Sequence, residues 1–378
     1  MAKNNIRFGR RGFLRLSARV AGGLIVSPVL GACQKLGLIE ATETPFPSST
    51  PTIEGSSTST PTAAVSTQSS PLIPDGNARI AFVRTRDRQE GVRRAISLLG
   101  ENTISGKKVF LKPNFNSADP APASTHPDTL RAMVESLQEM GAGTITVADR
   151  SGMGDTRKVM EKLGIYDLAG ELGVDTLAFD ELTDPEDWVL VKNDDDHWKN
   201  GFPVPRQLLE ADAIVQTCCL KPHRYGGRFT MSLKNTVGMV GKFMGSGGHN
   251  YMTELHTSLS QRLMIAETNT FYEPALVVLD GVEAFIDEGP DRGTKVWGEV
   301  IMAGTDRVAL DAVGLALLRV LGYTGKASTG AIFAQEQIAR AVELGLGIDG
   351  PDKITFLTDD SESAAYAAQI HEQMQRSG

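Results

Sequence analysis

The sequence predicts an α/β fold: a mostly parallel sheet with helices on both faces and the option of a small antiparallel addition. Three observations lead there. Short runs rich in Val and Ile, at Arg79–Val83, Lys108–Leu111, Thr144–Ala148, Ala213–Thr217, Leu276–Leu279 and Val300–Ala303, read as buried strands. Helical patterns stand between many of them, at Arg88–Leu99, Pro127–Met140, Asp155–Leu163 and Arg307–Leu321, and that alternation is what a parallel sheet with crossover helices requires. Only Cys218 and Cys219 follow Cys33; adjacent cysteines make no ordinary unstrained disulfide, so the fold must stand on its apolar core.

Taken in order, the chain opens with an address. Residues 1–33 read as a signal peptide: Arg10-Arg11-Gly12-Phe13-Leu14-Arg15 looks like the twin-arginine export motif, and a weakly apolar run, Val20 to Leu30, follows it. That run is shorter than the roughly 20 residues a membrane-spanning helix needs. Leu30-Gly31-Ala32-Cys33 then resembles a lipobox, which predicts acylation of Cys33, passage through the twin-arginine export machinery and a lipid anchor on the outer face of the cytoplasmic membrane. A plain cleaved signal with an incidental cysteine is the alternative. Residues 34–77, rich in Ser, Thr and Pro, cannot bury enough surface to offset their ordering entropy and are expected to form a disordered stalk. The α/β domain is placed at 78–360, with 361–378 as a C-terminal helix or tail.

Within the domain, helix 127–140 is the most clearly signalled. Pro127 suits the first helical position, one of Ser124, Thr125 or His126 would cap it, and Gly141 can end it in the left-handed conformation. The stretch Trp188–His197 and the surroundings of Trp297 are the candidates for the antiparallel addition. Gln335–Leu344 reads as a further helix and Lys353–Leu357 as an edge strand.

Charge points to the function. Of 378 residues, 46 are acidic, yet no Asp or Glu occurs between Asp212 and Glu254, where roughly five are expected by composition. Lys221, Arg224, Arg228, Lys234 and Lys242 stand in that window, so an acidic protein has gathered cations where an anionic ligand would bind. The first 32 residues hold six Lys or Arg and no acid, and without them the net charge goes from −8 to −14. Such a chain is not a nucleic-acid binder.

Ligands of open parallel sheets bind beyond the carboxyl ends of the strands. Four ends carry suitable groups: Lys112-Pro113-Asn114, Asp149-Arg150-Ser151, Lys221-Pro222-His223 and Asp280-Gly281. A crevice is therefore expected in which Lys112, Asn114, Asp149, Ser151, Lys221 and Asn235 hold a small anion. Lys234, His223 and His126 are the candidates for proton transfer or covalent chemistry. His126 precedes a helix N-terminus, where it serves equally well as a base or as a cap. His249 is the candidate metal ligand, although no fixed histidine spacing accompanies it. The glycines Gly241, Gly245, Gly247 and Gly248 match neither a Walker loop nor a dinucleotide fingerprint.

The succession Lys112-Pro113-Asn114, Thr125-His126-Pro127, Asp149 with Ser151, Leu220-Lys221-Pro222-His223, Ser232-Leu233-Lys234-Asn235 with Gly238, His249, Asp280-Gly281, Gly289-Pro290 with Gly293, and Asp306 with Asp311 resembles domain-of-unknown-function family 362 over about residues 80–325. Many members of that family carry a ferredoxin-like module with two iron–sulfur clusters. The cysteines that module needs are not in this chain, so no iron–sulfur cluster is expected. A further likeness is to the nickel-pincer lactate racemase family, through the spacing of His223, Lys234 and His249. It implies a cofactor held by Lys234, a metal bound by His249 and a substrate carboxylate met by Lys112 or Lys221. The cofactor is otherwise open, a metal being one option, and a lipid-anchored anion- or metal-binding protein without turnover is the alternative to an enzyme.

Overall fold

The computed structural model describes residues 76–100 and 102–376. The export motif, Cys33 and all but the last two residues of the expected stalk lie outside the described residues.

A nine-stranded sheet organises the domain. Its order is β11 (Ile354–Leu357), β1 (Ala78–Arg84), β10 (Lys295–Gly304), β9 (Pro274–Phe285), β7 (Ala213–His223), β2 (Lys108–Lys112), β3 (Thr144–Asp149) and β4 (Asp175–Ala178), with β8 (Arg228–Thr230) paired to the end of β7. Pairings are parallel from β9 through β4 and between β1 and β11. β10 runs antiparallel to both of its neighbours, so Trp297 sits in the main sheet and not in a separate addition. The antiparallel addition is instead the pair β5 (Trp188–Val191) and β6 (Phe202–Pro205).

Alternation along the strands decides which face each residue covers. In β1, Ile80 and Phe82 join the core under α9 (Arg307–Val320), α10 (Glu336–Glu343) and α11 (Ser361–Arg376), whereas Ala81 and Val83 join that under α1 (Arg88–Leu99), α2 (Pro127–Glu139), α3 (Thr156–Lys162) and α4 (Ile165–Leu172). Helix starts follow local chemistry. Asp87, Asp155 and Asp306 each accept a backbone N–H from the first turn of the helix they precede. His126 takes the same part for α2, its ring accepting from Asp128 N, with Pro127 at the first position.

One strand outruns its apolar signal. β7 continues through Lys221-Pro222-His223 because β8 folds back on those residues and gives the extension a partner. This is where polar groups enter the sheet itself. β2 has β3 on one side and β7 on the other, and the chain order reverses between them, so β2 and β7 border the topological switch point. Short helices α5 (Arg206–Leu209), α6 (Ser232–Asn235), α7 (Tyr251–Thr257) and α8 (Gln261–Glu267) complete the domain. None of the described helices is long and apolar enough to cross a membrane.

Candidate functional site

A cleft of about 520 Å³ opens at that switch point. Of the residues expected from sequence it gathers Lys112, Asn114, Asp149, His223, Lys234 and Asn235. These divide into a floor and a wall.

The floor is a closed network. Lys112 Nζ lies 2.8 Å from Asp149 Oδ1 and donates to Pro113 O (2.6 Å) and Asn235 Oδ1 (3.1 Å). Asp149 also accepts from the backbone N–H groups of Phe115 (2.6 Å) and Arg150 (2.7 Å). Burial pushes the Lys112 amine down and the Asp149 carboxyl up, each against the attraction of the other. Three acceptors around the ammonium and three donors around the carboxylate favour the ionic pair. All three ammonium protons are thereby spent on the protein. Asn114 donates to Asn235 Oδ1 (3.1 Å) and accepts from Lys221 Nζ (2.9 Å), which also donates to Ala123 O. Lys221 is fully buried, does not line the cleft, and among the described residues pairs with no carboxylate. Burial lowers its pKa. Gly238 makes the floor possible: a Cβ there would lie 2.4 Å from Asp149 Oδ1 and 2.7 Å from Lys112 Nζ.

Beneath the same turn sits Arg150, buried, with its guanidinium donating to the carbonyls of Val240 (2.7 Å), Ser151 (2.9 Å) and Val237 (2.9 Å). It is a fixed cation whose guanidinium has no carboxylate in hydrogen-bond contact among the described residues. Its charge bears on the wall, where α6 presents Lys234.

Asp311 of α9 holds α6 by accepting from Ser232 N (2.8 Å) and Leu233 N (3.2 Å), and its own burial pushes its pKa up to about 7. Lys234 lines the cleft, keeps some exposure, and its amine has no hydrogen-bond acceptor among the described residues. Burial first, then the positive charges of Lys221 and Arg150, bring its pKa down to about 7. Across Gly227 stands His223. A Cβ on that glycine would meet Lys234 Cε at 2.8 Å and His223 Nδ1 at 3.1 Å, so the two side chains are neighbours. His223 Nδ1 is buried and has no partner among the described residues. Burial, followed by Lys234, keeps its imidazole neutral, well below the usual histidine range. His256 also lines the cleft; its Nδ1 bonds Met252 O (2.7 Å), and burial together with Lys234 lowers its pKa. Lys242 completes the set at an exposed position.

The other expected residues stand elsewhere. His126 caps α2, outside the cleft lining. Ser151 donates its hydroxyl to Phe115 O (2.6 Å), bracing the β3 loop. His249 is absent from the lining; its Nε2 lies 2.5 Å from Glu254 and its ring meets Tyr251 edge-on. Among the described residues no three His, Cys, Asp or Glu side chains converge as a metal site. Arg224 and Arg228, counted in the basic window, turn toward Asp291 (2.8 Å) and Glu336 (3.9 Å). Missed from sequence were Arg150, Lys242 and His256 as members of the site. The acid-free window held the signal for Lys242 and the polar end of β3 that for Arg150, although neither was assigned a part in the site.

The family model for the domain of unknown function DUF362 matches residues 109–316, more than half of the chain, and the chain belongs to that family. Over 220 residues, 57% of this chain, it is 26% identical to a thylakoid-associated protein of Synechocystis sp.. The match spans 64% of that protein's length. The lactate racemase apoprotein of Thermoanaerobacterium thermosaccharolyticum superposes with a TM-score of 0.39 at 12% identity, over 79% of this chain and 88% of that one. At that score the likeness says nothing of chemistry.

Proposed function

We propose that the cleft belongs to an enzyme acting on a small anion, with Lys234 and His223 moving protons at the bound ligand. One observation carries the reading. Lys112, Arg150, Lys234 and Lys242 line the cleft against Asp149 alone, and of the two inner lysines only Lys234 has its N–H groups unspent. Arg150 supplies field, while Lys234 and Lys242 supply contact. A lysine titrating near 7 beside a neutral imidazole is suited to exchange protons at working pH.

The test is calorimetric titration of the full chain with acetate and with phosphate. Lys234→Ala and Lys242→Ala are expected to weaken anion binding far more than Lys353→Ala, whose lysine lies apart in an exposed pair with Asp349. Equal effects of all three would overturn the reading. Binding that persists with no turnover of any anion tried would shift the assignment to a lipid-anchored binding protein.

The geometry does not fit a nickel-pincer cofactor. Lys234 and His223 adjoin, but His249, the ligand such a site would need, is engaged with Glu254 and stands outside the lining. Elemental analysis of the purified chain checks for any other metal. For location, we propose export by the twin-arginine route and anchoring through Cys33 at the outer face of the cytoplasmic membrane. Labelled fatty acid incorporated by the wild type and not by Cys33→Ala supports this; equal labelling refutes it.

A further inference from the structure

We propose that Lys234 forms an imine with a small anion that carries a ketone or aldehyde beside its carboxylate, a 2-oxo acid. This rests on the anion reading above and names the substrate class and the covalent step.

The lysines of the cleft argue for it by contrast. Holding an anion calls only for a charged amine, which Lys242 already provides at an exposed position. Lys234 is placed differently: its stem is packed against Gly227, its amine faces the cleft without an acceptor among the described residues, and the cations Arg150 and Lys221 disfavour its proton. An amine that is partly unprotonated and unbonded is a nucleophile. The neutral His223 beside it lines the cleft, and its Nδ1 has no partner among the described residues, so the imidazole is able to carry protons between nitrogen and oxygen. The oxo acid supplies both features the site addresses, a carboxylate for the cations and an adjacent carbonyl for the amine.

The step balances without a further reagent. Lys234 gives up a proton and its lone pair attacks the carbonyl carbon, forming the C–N bond as the C=O π pair moves to oxygen. Protons taken from nitrogen, passed through His223, convert that oxygen to water, which leaves as the C=N bond forms. In net terms a ketone and a lysine ammonium become a protonated imine and one water.

The experiment is reductive trapping. Full chain, pyruvate and cyanoborohydride are incubated together and the peptides mapped by mass. The expected result is an N-(1-carboxyethyl) adduct on Lys234 at least about tenfold above that on Lys326 and Lys353, because a positioned amine reacts at high effective concentration. Excess acetate, which has the charge and no ketone, should suppress it. Pyruvate binding seen by calorimetry with no preference for Lys234 in the map overturns the imine and leaves the anion site standing. If neither pyruvate nor acetate binds, the anion reading itself fails. Lys234→Arg, checked by its melting curve, should lose the adduct; an unchanged adduct yield in that variant would also overturn the proposal. Should this variant not fold, the wild-type map still decides.

Discussion

The floor and the wall of the cleft use the same residue types to opposite ends. On the floor, Lys112 meets three acceptors and Asp149 three donors, with Asn114, Asn235 and Lys221 closing the network. On the wall, Lys234 has no acceptor among the described residues and His223 leaves a buried nitrogen unpaired. A buried polar group costs free energy unless paired. The floor has met that requirement within the protein; on the wall the Lys234 amine has not, and it opens onto the cleft where a ligand can meet it. Lysine identity therefore says little about role, and the count of spent protons says a great deal.

The strongest way to break the comparison is on the floor. Lys112→Met leaves a buried carboxylate without its cation and should cost about 3–5 kcal/mol of stability, read by urea unfolding. Adding Asp149→Asn in the same chain should recover part of it. A single-variant cost under about 1 kcal/mol would show that the floor is not the keystone inferred for it. Next comes Gly238→Ala, whose methyl must displace the ion pair from 2.4 and 2.7 Å; a loss of about 1–3 kcal/mol is expected.

On the wall the expectation reverses. Lys234→Met should leave stability within about 1 kcal/mol of wild type, since no bond is lost, while anion affinity falls about tenfold or more. Affinity should also depend on pH through this group. Lys234 is charged below about 7 and neutral above it, so anion binding is expected to weaken as pH rises through that value, and Lys234→Arg should flatten the profile. The neighbours whose charges enter are Arg150, Lys221, His223 and His256. Stability runs the other way. The unfolded lysine holds its proton up to its ordinary pKa near 10.4, so between about 7 and that value the unfolded state binds more protons and the Lys234 contribution to stability grows with pH. A flat affinity profile in the wild type would remove Lys234 from the site. The smallest effect belongs to His249→Ala, which removes an exposed histidine from a mostly buried Glu254 carboxylate that keeps its bond from Lys199 N. A change of about 0–1 kcal/mol is expected, with anion affinity intact.

The parallel architecture was legible in the sequence because buried strands and amphipathic helices carry their periods locally. The runs at 108–111, 144–148 and 213–217 all became parallel neighbours. Less visible were strand direction and extent. β10 reads like its neighbours, and only its pairing makes it antiparallel; β7 extends to His223 because β8 covers it. The site was legible at the level of residue type: the acid-free window and the polar strand ends name Lys112, Asn114, Asp149, His223, Lys234 and Asn235, all of which line one cleft.

By itself, then, the sequence determined the α/β alternation, the family and six of the polar residues that line the cleft, since each is written in local composition and order. Tertiary structure alone decided which of those residues are free. Whether a lysine proton is spent depends on acceptors more than 100 positions away, as with Lys112 and Asn235 or Lys221 and Asn114, and only the folded chain brings those together at hydrogen-bond distance.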